Sequence, residues 1–525
     1  MKNNKHIIKN IFYLLLLVLF LAGGVFTFLN CAGNNPAEET TTEITTDALA
    51  GASTTTKNSE EEQQSKETTE EIKTEPELSN PDEILPYNKL KIDSNSLVGI
   101  AQSDKANATD LTFDDIKALI REAIELAGGL DGIVKDGDTV VLKPNLVSHT
   151  DYTLPGWQGR RHNPEVNGNC TDWRVTKAVA QLVRELNPSG KIYVMEGSAI
   201  PTREVMDALK YTKDNFPEVD GLLAIEEDSG DWGDKKSDGI VKVSYKDALL
   251  HKEYYVNKKI YEADVYICLP VLKNHWSAVV TGCVKNISIG ATPANIYGGD
   301  AGDTYRGYMV EHDTKQYHQW MADYYVCRPA DFVVMEALQG LQNGPTPCFD
   351  QAGVSDIKQA QKNMRCMLAS KDGLAMDVVE TNIMNWDIES VIYLQHLITN
   401  GKVGNGDSKN ITVLGKKIDD IRSNFAGVLP PAGGRTLRKL TPPTLSIESA
   451  SFDGNNLKLK LNISEDTDKL DIYIDGTYAG SVNENMTDIT FNAIQFDSGS
   501  RNITIYSYDK FMNHAEANAK AEKKN

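Results

Sequence analysis

Between residues 84 and 428 short apolar runs alternate with amphipathic stretches. Thr112 followed by Asp115 is a capping signal, and Ile116, Leu119, Ile120, Ala123 and Ala127 recur at helical spacing until Gly128-Gly129, which predicts a helix stopped by glycine. Residues 139–142 form a brief apolar strand that runs into Lys143-Pro144-Asn145; 173–186 reads as helix, 191–195 as strand and 200–209 as helix. Further β-rich runs lie at 263–269, 331–335 and 365–369, with 373–385 helical after the last. These strands are apolar throughout rather than alternating, as burial on two sides requires. Strands alternating with helices predict an α/β domain: a mostly parallel sheet with helices on both faces.

The pattern changes at a Pro/Gly linker, residues 429–443. Beyond it Leu457, Leu459, Leu461 and Ile463 alternate with Lys458, Lys460 and Asn462; Leu470, Ile472 and Ile474 precede an Asp475-Gly476 turn, and Ile503 and Ile505 repeat the period of two. About seven short strands of this kind predict a small all-β immunoglobulin-like sandwich over 444–525.

The N-terminal end obeys other rules. Lys2, Lys5 and Lys9 precede an uncharged apolar run, residues 11–29, long enough to cross a bilayer core at roughly 20 residues. Residues 1–31 therefore read as a signal peptide or N-terminal membrane anchor, with the rest of the chain on the extracytoplasmic side of the cell membrane. Cys31 is a lipidation candidate, but Asn30 stands where a lipoprotein processing site carries a small residue, so a single-span anchor stays open beside a lipoprotein. Residues 32–83 form a Thr/Glu-rich linker that has too few apolar side chains to offset the entropy of folding and is expected to be disordered. Residues 36–83 contain 14 acids and 3 lysines, a net of −11 out of the chain's −20. The acidity thus belongs mainly to the spacer, and with no basic patch nucleic acid is excluded as a partner.

Seven cysteines without any Cys-x-x-Cys spacing argue against an iron–sulfur cluster and against structural zinc. Cys268 and Cys283 sit in apolar contexts as buried thiols, whereas Cys327, Cys348 and Cys366 are candidates for one disulfide. His149, His162, Glu311, His312, Asp313 and His318 lack metal-site spacing, so no metal is assigned. A Gly-x-Ser-x-Gly elbow is absent too.

Candidate chemistry gathers at strand ends, where open α/β sheets keep their ligand crevices. Pro144 ends a ladder and fixes the direction of Lys143, with Asn145 next to it. Glu196-Gly197-Ser198 makes a turn whose N–H groups can meet an anion. Lys273 and His275 are two apart, so an extended segment puts them on one side with Asn274 opposite; Trp276 adds an apolar wall, and Lys285-Asn286 a second cation and amide. Lysines close to His275 are expected to favour its neutral base form. Glu336, Asp372 and Asp377 can bind a metal, accept a substrate hydroxyl or neutralise the lysines, and Asp372 can equally cap the helix after it. On this reading Lys273, His275 and Asp377 are the catalytic candidates. Lys143, Asn145, Glu196, Gly197, Ser198, Lys285, Asn286, Glu336 and Asp372 are the ligand-binding ones.

The strings Val141-Leu-Lys-Pro-Asn-Leu146, Thr171-Asp172, Glu196-Gly-Ser198, Leu269-Pro-Val-Leu-Lys-Asn-His275, Thr281-Gly-Cys-Val-Lys-Asn286, Gly344-Pro345 and Ser370-Lys-Asp372 with Asp377 resemble, in the same order, a family known as a domain of unknown function, DUF362. The resemblance spans residues 98–425. Some members of that family carry ferredoxin-type cysteine runs; this chain has none, so no electron-transfer role is carried over. The cofactor is left unknown. The expected function is a membrane-tethered protein that binds, and in one reading acts on, an anionic small molecule. The alternative is a non-catalytic surface or adhesion protein whose sandwich meets a cell-wall component.

Overall fold

Thr112 closes a capping box, its hydroxyl accepting from the Asp115 N–H while Asp115 accepts from the Thr112 N–H. Helix α1 (Phe113–Leu126) thus starts where the sequence predicts, and it ends before Gly128 and Gly129, both at positive φ. Helix α2 (Trp173–Leu186) is capped by Asp172, and α3 (Thr202–Ala208) comes after the third strand. This computed structural model describes residues 86–87, 92–149, 163–298, 315–345, 357–400, 403–427, 437–438 and 440–524. The apolar run 11–29, Cys31, the acidic linker 32–83, His162, residues 311–313, Cys348 and residues 429–434 lie outside them. Among the described residues no helix is long and apolar enough to cross a membrane.

The strands are β1 (Ser96–Gln102), β2 (Thr139–Pro144), β3 (Lys191–Glu196), β4 (Gly221–Ala224), a separate pair β5 (Ile240–Ser244) and β6 (Glu253–Asn257), then β7 (Val265–Leu269), β8 (Val271–His275), β9 (Val279–Val280), β10 (Phe332–Leu341), β11 (Gln361–Lys362), β12 (Cys366–Ser370) and β13 (Ile411–Gly415). The main sheet runs β13-β1-β12-β10-β7-β2-β3-β4, with β8, β9 and β11 attached beside β10. Five of its contacts are parallel; β12 alone on this path runs antiparallel to both neighbours, β1 and β10. Alternate strand residues enter opposite cores. Val140, Leu142, Ile192, Val194 and Ile267 pack with α1 and α2. Val141, Met195, Tyr266, Cys268 and Met335 pack with α4 (Gly282–Gly290), α5 (Lys315–Cys327) and α6 (Gly373–Ile383). Burial on both faces is why the strand sequences are continuously apolar.

The C-terminal part forms two antiparallel sheets. One contains β14 (Leu445–Asp453), β15 (Asn456–Ile463) and β18 (Asp488–Asn492). The other runs in the order β17 (Thr477–Val482), β16 (Lys469–Ile474), β19 (Gly499–Tyr508) and β20 (His514–Lys523). Leu457, Leu459 and Leu461 point into the sandwich core, while Lys458 and Lys460 are exposed. Both parts belong to one compact unit. The Lys469 ammonium donates to the Ile411 carbonyl on edge strand β13, and Lys417, just beyond that strand, sits 3.8 Å from the Tyr506 ring centroid and donates to the hydroxyls of Tyr473 and Tyr508. The β13 edge of the main sheet is therefore covered by the sandwich, a standard protection against strand addition.

Cys327 and Cys366 are buried free thiols, as are Cys170, Cys268 and Cys283. The disulfide expected of Cys327 or Cys366 is thus not formed; each is enclosed separately within the packed α/β core.

Candidate functional site

Lys143 is the last side chain of β2 before Pro144, and it is wholly buried. Its ammonium donates to Glu196 Oε1 at 2.9 Å, to the Pro144 carbonyl at 2.7 Å and to Asn286 Oδ1 at 3.3 Å. Glu196, at the end of the neighbouring strand β3, also accepts from the Leu146 and Gly197 N–H groups. Three donors and three acceptors are thereby matched around Lys143 in a fully desolvated ion pair.

Asn286 links this pair to a second lysine. Its Oδ1 also accepts from Asn145 Nδ2 at 3.0 Å, and Asn145 Oδ1 accepts from Lys273 Nζ at 2.9 Å. Lys273 Nζ further reaches the carbonyl and Oδ1 of Asn169. The structure therefore joins Lys143, Asn145, Glu196, Lys273 and Asn286 in one hydrogen-bonded chain where the C-terminal ends of β2 and β3 meet β8 and α4. Lys285 is buried on α4 one residue before Asn286, about 100° round the helix axis.

His275 closes β8 at 4% exposure. Its Nδ1 faces the N–H groups of Ser277 at 3.2 Å and Ala278 at 3.3 Å and the Ser277 hydroxyl at 3.0 Å. The ring stacks beside Trp276, with centroids 5.8 Å apart. The expected apolar wall is present.

The Gly197-Ser198 turn is internally satisfied. Gly197 N–H serves Glu196 and the Gly290 carbonyl, Ser198 N–H serves Thr202, and the Ser198 hydroxyl donates to the Leu146 carbonyl. A Cβ on Gly197 would stand 3.1 Å from the Gly290 oxygen. Close approach of the chain at Gly290 explains this glycine, and the N–H groups expected to meet an anion are engaged by the protein.

The carboxylates divide differently from the sequence expectation. Asp372 comes after β12, whose antiparallel course places its C-terminal end beside Val98 and Val333, the starts of β1 and β10. Asp372 is thus on the opposite rim from Lys143. It caps α6 through Leu374 and Ala375 N–H and accepts from Ser96 Oγ and Asn405 N–H. Asp377, one turn on, accepts from Cys283 N–H at 2.6 Å and Val284 N–H at 2.9 Å, capping α4 from a neighbouring helix. Burial pushes its carboxyl up to about 8, against the pull of those two N–H groups. Donors of the protein occupy the oxygens of both aspartates, and Asp372 lines a small cavity of about 50 Å³ on the far rim with Ser96, Lys371 and Val403, away from Lys143. Glu336 lies inside β10, which extends further than predicted; its Oε2 accepts from Asp172 N–H, its Oε1 has no partner among the described residues, and burial together with the Asp172 charge raises its pKa well above the usual range.

Two residues escaped the sequence-based expectation. Asn169 is fully buried; its Oδ1 holds Lys273, and its Nδ2 has no partner among the described residues. A run of amides around Gly168, just ahead of the helix-capping Asp172, was the signal that could have found it. Glu380 is buried on α6, and neither of its oxygens makes a hydrogen bond among the described residues. Burial, then the Asp377 charge, raises its pKa well above the usual range, while the nearby N–H groups of Lys273 and Gly282 and the Lys273 ammonium oppose the rise. Because α6 starts on the far rim, eight residues at about 1.5 Å each bring Glu380, not Asp372, towards Lys273. Among the described residues no group of three His, Cys, Asp or Glu side chains is placed to hold a metal ion.

A thylakoid-associated protein of Synechocystis sp. is 27% identical over 273 residues, covering 51% of this chain and 70% of the relative. The lactate racemase apoprotein of Thermoanaerobacterium thermosaccharolyticum aligns over 48% of this chain and 54% of its own, at 15% identity and a TM-score of 0.28. Fibronectin(III)-like modules of Clostridium thermocellum CbhA align with 15% of this chain and 96% of their own, at 18% identity and a TM-score of 0.14. Scores this low carry no argument about fold or function. Residues 140–382, which contain every catalytic and ligand-binding candidate, match the domain of unknown function DUF362. The motifs quoted from the sequence fall with this match in one DUF362-type domain, residues 140–382.

Proposed function

We propose that the α/β domain binds a small anion, a carboxylate or phosphate, at the rim formed by the ends of β2, β3 and β8, and that the protein is held to the outer side of the cell membrane by its N-terminal segment. The observation that carries the binding reading is Asn169: a buried amide whose oxygen is committed to Lys273 leaves its Nδ2 as an unsatisfied donor beside a cation. Leaving a buried donor unmet costs about 1–3 kcal/mol, which an acceptor on a ligand would recover. Asn169 Nδ2 supplies the polar contact, the Lys273 charge beside it favours an anion, and the Lys143–Glu196 pair fixes the strand ends beneath them.

Calorimetric titration of the full chain with inorganic phosphate, acetate and pyruvate tests this directly. Saturable heat with one of them is expected, and Asn169→Ala should reduce affinity by about tenfold for one lost charge-neighbouring hydrogen bond. No binding of any probe, or affinity unchanged in Asn169→Ala, sinks the reading. For the tether, membrane fractionation in the native host is decisive. Material that is soluble with residues 11–29 intact removes that part of the proposal, and a lipid mass on Cys31 distinguishes lipoprotein from single-span anchor.

The second reading, adhesion through the sandwich, gains no support from the interface described above. Tyr473, Tyr506 and Tyr508, an aromatic group of the kind a surface binder displays, face Lys417 of the α/β domain instead.

A further inference from the structure

We infer that a cavity bounded by α5, the helix α7 (Ile392–Asn400) and the loop between β5 and β6 takes a small primary amine, with the Asp323 carboxylate holding its ammonium group. The inference is independent of the anion-binding reading, because this cavity and the Lys143 network share no residue. The space measures about 210 Å³. That is below the roughly 300–1,000 Å³ that houses a drug-sized ligand, and suits a molecule of on the order of ten heavy atoms or fewer. Leu249, Ala322, Val326 and Leu397 make its apolar walls, and Leu249, 48% exposed, connects it to the surface.

Asp323 is buried, and its hydrogen-bond partners are all donors. Its Oδ1 accepts the Leu249 N–H at 2.9 Å, and its Oδ2 accepts the Leu250 N–H at 2.8 Å and the Tyr254 hydroxyl at 2.7 Å. The Tyr254 oxygen itself accepts the His251 N–H, so the phenol proton is left for Asp323. These neutral donors do not cancel the charge: among the described residues Asp323 makes no ion pair with Lys, Arg or His. A carboxylate offers about two acceptor positions on each oxygen; Oδ2 has filled both, Oδ1 only one. A buried charge without a counter-ion is a costly arrangement that a bound cation relieves.

Asn400 supplies a second acceptor. Its Nδ2 donates to the Tyr245 hydroxyl at 3.0 Å, which fixes the amide, and its Oδ1 is buried without a hydrogen-bond partner among the described residues. A primary ammonium has three donors and no acceptor, the complement of these two oxygens. The lining contains neither Lys nor Arg to repel it. An alcohol of the same shape would fill the apolar part and leave the charge unmet, and a carboxylate would be repelled by Asp323.

Calorimetric titration of the full chain with n-butylamine, n-butanol and butyrate at pH 7 tests the site. Saturable heat with butylamine alone is expected. Asn400→Ala should weaken that binding about fivefold, the effect of one lost hydrogen bond. Ala322→Leu, which fills the space, should abolish it while circular dichroism shows the fold intact. Asp323→Asn should lose about tenfold or more, as befits a charged contact; since this variant also loosens the loop between β5 and β6, the Asn400 and Ala322 variants decide the matter. No saturable binding of butylamine overturns the inference, and so does equal binding of butanol or butyrate. Butylamine that binds with the same affinity to wild type, Asn400→Ala and Ala322→Leu is held elsewhere on the protein, which overturns the site as well.

Discussion

Removing the Lys143 ammonium should destabilise the α/β domain far more than a lysine beside a turn ordinarily would. In Lys143→Met the hydrocarbon stem is largely kept, but Glu196 is left as a wholly buried carboxylate whose contacts named above reduce to the Leu146 and Gly197 N–H groups. Breaking a buried pair by deleting one member costs about 3–5 kcal/mol, and the two remaining N–H donors place this case near the lower end. A loss of about 3 kcal/mol is a factor of roughly 150 in the folded-to-unfolded ratio. Glu196→Gln alone should cost less, since the amide oxygen keeps one backbone contact and Lys143 keeps Pro144 and Asn286. Urea unfolding of the full-length wild type, both single variants and the double variant gives a thermodynamic cycle, read from the midpoint of the α/β transition at constant slope. The reasoning requires a coupling of about 2 kcal/mol or more between the two positions. A single-variant loss below about 1 kcal/mol with no coupling would mean that the pair is solvated in solution, and the sealed network would be refuted.

Other outcomes rest on the same contacts. Gly282 lies at φ +55°, and a Cβ there would stand 2.4 Å from the Asp377 carboxylate; Gly282→Ala should cost about 2–4 kcal/mol in denaturant unfolding through strain and overpacking, and a neutral substitution would show that Asp377 does not cap α4. The Asp377 carboxyl is raised to about 8 in the folded protein from an ordinary value of 3.8, so the folded form holds a proton that the unfolded chain has released: stability should fall as pH rises between these values and level off above about 8. Asp377→Asn should flatten the slope of melting temperature against pH over that window, and an unchanged slope would contradict the assignment. Lys417 is pushed down to about 8 by burial; here the unfolded chain holds the extra proton, so the sandwich contact should firm as pH climbs from about 8 towards the usual lysine range. Protease release of the sandwich should slow over that range, and Lys417→Met should abolish the trend.

Helix ends and strand runs were the most readable features, because local chemistry sets them. Thr112 and Asp115 announced α1, the 173–186 helix is found at its predicted bounds, and the alternation of Leu457, Leu459 and Leu461 marked a half-wet strand. Strand direction was not readable. Residues 366–370 are as apolar as any parallel strand, and nothing in them tells that β12 runs backwards; that single reversal moved Asp372 to the far rim. The convergence of Lys143, Asn145, Lys273 and Asn286 could be expected from their places at strand ends, whereas their saturation by one another could not, since it depends on Asn169 from a loop more than a hundred residues away in sequence. Asn169 and Glu380 share the reason they were overlooked: each is an ordinary polar residue in an ordinary element until tertiary packing strips its water.

The last seven strands decide whether β13 is a closed or an open edge. A chain that ends before β14 leaves the Ile411–Gly415 backbone as an open template for a neighbouring molecule. A premature stop codon in the linker would produce such a chain. Shortened products of this kind should accumulate as insoluble polymers, and the module at the carboxyl end is, in this sense, the part of the chain that keeps each copy separate from the next.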